Sequence, residues 1–139
     1  MKISLLDRSL YLKGLVLLIR KDRKIDTAER NMAVCVGKIL GFEKKFSEKV
    51  IEELLDNKYI VDVPPHFSTS DIARCFIKDG LKLSFVDGQL HENELIWLKS
   101  IAETNGLEDA WYDDAVKTAT DQEYGDLEGI LEAKYLEWE

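Results

Sequence analysis

The sequence predicts an all-α chain of about seven helices, arranged as two pseudo-symmetric helix–loop–helix repeats within a single domain spanning 1–139. Three observations lead there. Apolar residues recur at three- and four-residue spacing nearly throughout. Proline occurs only as Pro64-Pro65, and no hairpin turn signal separates alternating strands. A shift of 65 residues lays one half of the chain on the other: Gly41 falls on Gly106, Asp22 on Asp87, Glu29 on Glu94, Leu18 on Leu83 and Tyr11 on Phe76.

The elements follow in order. Leu5, Leu12, Leu15 and Ile19 stripe a first helix. Its run "GLVLLI" (Gly14–Ile19) lies between Lys13 and Arg20, lacks a small-residue cleavage site, and reads as a core helix rather than a signal peptide. It is far short of the ~20 apolar residues that a membrane span needs, so no transmembrane segment is expected. Met32, Val36, Ile39 and Leu40 stripe the second helix, which Gly41 ends. Val50, Ile51, Leu54 and Leu55 stripe the third. Pro64-Pro65 is read as a hinge between halves. Ile72, Phe76, Ile77 and Leu83 follow it, with Ser68, Thr69 and Ser70 as N-cap candidates. Leu95, Leu98, Ile101 and Ala102 mark the fifth helix, closed by Gly106, and Trp111, Ala115 and Ala119 the sixth.

Leu127, Ile130, Leu131 and Tyr135 predict a seventh helix. Repeat one then covers 8–42, repeat two 73–107, and acidic C-terminal helices 108–139. The tail from Glu108 carries 11 acidic residues against 2 basic ones. Its recurring large apolar residues are those of a docked segment and not of a disordered one.

Net charge is −8 and uneven: 1–65 hold 13 Lys and Arg against 10 Asp and Glu, whereas 66–139 hold 6 against 17. An acidic half argues against general nucleic-acid binding, which needs a positive surface, and suits a protein or cation partner. Arg20, Lys21, Arg23 and Lys24 form a small basic cluster, read as a solvated helix end or as a contact for an anionic partner. Cys35 and Cys75 both sit in apolar helical patterns and read as reduced thiols, which makes the cytoplasm the expected compartment.

The repeated loop carries the chemistry. An EF-hand takes ligands from positions 1, 3, 5, 7, 9 and 12, with glycine at 6 and an apolar residue at 8. With Asp87 at position 5, Gly88, Leu90 and Glu94 fall in register, but Leu83 and Phe85 occupy ligand positions that they cannot serve. The first loop is poorer, with Arg23 in place of the glycine. Asp26 and Glu29 also make a capping box, which by itself accounts for both residues. In the second loop His91 and Glu94 share a helix face, and with Asp87 they compose an O/N set suited to a transition metal.

Two acidic loops, "DRKIDTAE" and "DGQLHENE", in a small helical chain resemble the TerB-like tellurite-resistance domain family over about residues 5–120. That resemblance implies a seven-helix fold, acidic loop residues binding metal, and a role in stress response or in complexes near the membrane. It carries over Asp87, Gly88 and Glu94, and more loosely Asp22 and Glu29, onto a metal role. Arg23 and Lys24 oppose a cation at the first loop.

Three readings compete. The first is a non-enzymatic TerB-like module that docks to a protein partner and binds a divalent ion, calcium or zinc, weakly through Asp87, Glu94, His91, Asp22 and Glu29. The second is a structural or adaptor domain whose loops only start helices. The third is a metal-dependent enzyme, which requires an open coordination site beside Asp87, His91 and Glu94.

Overall fold

A computed structural model of the chain describes residues 2–21, 27–56, 63–85, 92–120 and 131–138. Among them the architecture is all-α: α1 (Leu5–Arg20), α2 (Thr27–Ile39), α3 (Lys44–Asp56), α4 (Ser70–Phe85), α5 (Glu92–Thr104) and α6 (Asp109–Thr120). A 3₁₀ turn (Glu132–Tyr135) follows, and the two-residue strands β1 (Lys2–Ile3) and β2 (Glu137–Trp138) pair in parallel. No helix among the described residues is long and apolar enough to cross a membrane.

The helix bounds recur. α4 starts and ends 65 residues after α1, α5 does the same after α2, and α6 starts 65 residues after α3. The local chemistry that sets these bounds recurs with them. The Ser4 hydroxyl accepts from the Asp7 amide at 3.2 Å, and the Thr69 hydroxyl accepts from the Ile72 amide at 3.2 Å. At the other end of the pairs, Gly41 and Gly106 take φ of 89° and 71°, where a side chain would strain the backbone. The amides of Gly41 and Phe42 bond Lys38 and Gly37, and those of Gly106 and Leu107 bond Glu103 and Ala102, so both helices end in the same Schellman turn.

α1 is the central element and touches α2, α3, α4 and α5. Leu15 to Ile19 are all buried, as a helix that is apolar all round must be. Its first turn departs from the expected stripe: Leu5 is 60% exposed, and the buried face begins at Asp7 and Tyr11. Tyr11 meets Phe76 edge-on at 5.2 Å between ring centroids, and Phe67 closes the cluster against Phe76 at 5.2 Å.

The segment after 63 is anchored. Pro65 and Phe67 are buried while His66 is exposed. The Asn105 side chain accepts from the Phe67 amide and donates to the Pro65 carbonyl, each at 2.9 Å. Asp7 accepts from the Ser68 amide at 3.1 Å and from its hydroxyl. These side chains satisfy backbone groups that no helix or strand supplies with partners.

The end of the chain differs from the expected seventh helix. Leu127 and Ile130 lie outside the described residues. Leu131 is extended, and the 3₁₀ turn and β2 follow where the periodicity predicts helix. Leu131, Ala133 and Leu136 are nonetheless buried. Leu90, the apolar residue in register in the second loop, also lies outside the described residues.

Candidate functional site

Of the residues expected to hold a metal, Asp22, Asp87 and His91 lie outside the described residues, and so does the side chain of Glu29, which sits on α2. Glu94 is described. It lies in the first turn of α5, where the helix dipole favours a carboxylate, and it is wholly buried. One turn further on, Trp97 is 7% exposed, and the Lys21 ammonium stands 5.1 Å from its ring centroid. Lys21 is the residue immediately before Asp22. Lys21, the last described residue of that stretch, thereby packs on α5, whose first turn holds Glu94. Among the described residues, no three His, Cys, Asp or Glu side chains gather into a metal-binding group.

A second constellation has no counterpart in the sequence reading. Asp79, in the middle of α4, is wholly buried. Its carboxylate accepts from the Tyr11 hydroxyl at 2.6 Å, the Glu132 amide at 2.7 Å and the Ala133 amide at 3.0 Å. The last two are the opening amides of the 3₁₀ turn, so Asp79 caps that turn from another element. One turn along α4, Lys82 reaches Glu132 at 3.3 Å. Burial pushes the Asp79 carboxyl up to about 6, although the Tyr11 hydroxyl, the two amides and the Lys82 ammonium all hold it down. Burial, and then the Asp79 charge, push the Tyr11 phenol well above its ordinary value. Burial, with Asp79 next, pushes the Cys75 thiol up to about 11, so it stays a thiol at neutral pH.

This network underlies a cleft of about 430 Å³ between α4, α6 and the 3₁₀ turn. α4 contributes Lys78, Leu81 and Lys82. α6 contributes Trp111, Asp114, Ala115, Thr118 and Ala119. Glu132, Lys134 and Tyr135 close the third side. Buried Asp79 and Lys82 interrupt the apolar stripe of α4, and that interruption was the available signal. Their partners are 53 and 50 residues away, which no local pattern shows.

No protein-family model, curated protein or solved structure matches this chain.

Proposed function

We propose that this chain is a non-enzymatic, TerB-like helical module, a tandem of two related units. Its acidic loops bind a divalent cation weakly, and the module docks to a protein partner in a stress-response or tellurite-resistance setting, with a membrane-associated complex as the partner class that the resemblance implies. The carrying observation is the contact of Lys21 with Trp97, one turn from Glu94, which supports Lys21, next to the first acidic stretch, and Glu94, in the second, lying on one side of the molecule. The 65-residue recurrence of helix bounds, hydroxyl caps and Schellman turns supports the tandem.

Calorimetry on the full chain with calcium, zinc and nickel tests the cation. Few carboxylates fall at EF-like positions, so the expected dissociation constant is on the order of 0.1–1 mM. Glu94→Gln should abolish the heat. If His91 ligates, zinc should bind more tightly than calcium and weaken as pH falls through ~6.5, where imidazole protonates. Equal heats for the parent and Glu94→Gln, with equal melts, would overturn the cation reading.

One observation favours a second reading. Glu94 is 0% exposed, and a carboxylate so enclosed suits a fixed internal bond better than an exchanging ion. On that reading the loops only start helices and the module is an adaptor. The same titration separates the two.

A further inference from the structure

We propose that the cleft between α4, α6 and the 3₁₀ turn binds a small organic monoanion with a planar apolar body, in class an aromatic carboxylate. Its volume of about 430 Å³ lies in the range of small-molecule sites. Its charge stands out from its surroundings. Residues 66–139 hold only 6 basic residues against 17 acidic ones, and three of those six, Lys78, Lys82 and Lys134, line this one cleft. Against them, among the described lining residues, stand Asp114 and Glu132, and Glu132 is already bonded to Lys82. A single carboxylate suits this lysine cluster, whereas the second charge of a phosphate monoester adds repulsion from Asp114 and Glu132.

The walls suit a flat body. Trp111 supplies an indole from α6 and Tyr135 a phenol from the 3₁₀ turn, and Leu81 and Ala115 add apolar lining. Tyr135 is 61% exposed, and Lys134 stands over its ring at 5.0 Å. The floor is fixed in advance. Lys82 is 8% exposed and bonded to Glu132, and the backbone of Glu132 is held by buried Asp79. A floor set this way has little ordering left to lose when a ligand arrives. Lys82 therefore shapes the site, while exposed Lys78 and Lys134 at the rim meet the carboxylate.

The test uses the full chain and 2-naphthoate as probe, followed by the indole N–H signals in ¹H–¹⁵N spectra. The Trp111 signal should move saturably and that of enclosed Trp97 should stay. Naphthalene-2-methanol, the same body without the charge, should bind about tenfold or more weakly, the ratio expected for one charge-assisted contact. The double variant Lys78→Met, Lys134→Met changes only exposed side chains and should lose a similar factor. A Trp111 signal that stays still at millimolar naphthoate would overturn the site. Equal binding of the alcohol, or full affinity in the double variant, would overturn the anion. Tighter binding of 2-naphthyl phosphate than of naphthoate would overturn the monoanion.

Discussion

The two halves of this molecule share a frame and differ in what they place on it. Sixty-five residues apart, α1 and α4 have the same length, the same hydroxyl cap and the same place in the order of elements. At position 14 the first half has glycine, and a Cβ there would meet the Phe76 ring at 2.8 Å. At the matching position the second half has Asp79, buried and triply hydrogen-bonded. Leu17 matches Lys82, and Leu40 matches Asn105. The first half spends these positions on helix packing. The second uses them to hold segments outside the recurring frame: Asp79 and Lys82 hold the end of the chain, and Asn105 the stretch after Pro64. Helices with matching bounds can therefore carry apolar residues in one half and polar ones in the other at enclosed positions, provided that a non-helical segment arrives to satisfy them.

The largest effect expected from breaking this contrast is at Asp79. Asp79→Ala strands two amides and a buried phenol, and should cost about 3–4 kcal/mol in urea unfolding. Gly14→Ala, at the matching position, should cost only about 1–3 kcal/mol by overpacking against Phe76. A smaller loss at Asp79 than at Gly14 would mean that the polar network is incidental.

Acidity sharpens the same contrast. The folded Asp79 carboxyl titrates at about 6, above its ordinary 3.8. Protonation therefore favours the fold. The contribution is fully present below about 4 and is lost as pH rises through about 6. Relative to Asp79→Asn, the parent should gain on the order of 2–3 kcal/mol between pH 7.5 and pH 4, measured by paired urea melts. A gain in the opposite direction would show that the hydrogen bonds outweigh burial.

Asn105→Leu makes the second half copy Leu40 of the first. It removes the partners of Phe67 and Pro65 and should cost about 2 kcal/mol. Faster amide exchange at Phe67 would locate the loss in the linker. The smallest effect is at the shared caps: Ser4→Ala and Thr69→Ala should each cost about 1 kcal/mol. Unequal losses would mean that the two frames differ where they look alike.

What could be read from the sequence follows the range of the interactions. Gly41 and Gly106 announce their turns locally, because only a positive φ and the preceding few carbonyls are involved. The Thr69 cap is legible for the same reason. The apolar run at Leu15–Ile19 announces a central helix by lacking a polar face. Leu5 misleads, because periodicity marks a face and not how far along the helix its neighbours extend. The tail misleads more. Leu131 and Tyr135 are spaced as in a helix, but the opening amides of Glu132 and Ala133 go to Asp79 across the fold. The cleft was illegible altogether, because its three sides come from α4, α6 and the 3₁₀ turn. Of the acidic loops, the register of Glu94 at a helix start was legible; its complete burial was not.

The pairing of β1 with β2 has a consequence for the order of folding events. Lys2 stands beside Glu137, so this ribbon closes a loop of nearly the whole chain. Closing so long a loop early yields two short strands for a large entropic cost, whereas after the helices have assembled little of that cost remains. The ribbon should therefore zip last and be absent from the transition state. Substitutions in it should then quicken unfolding and leave the refolding rate nearly untouched.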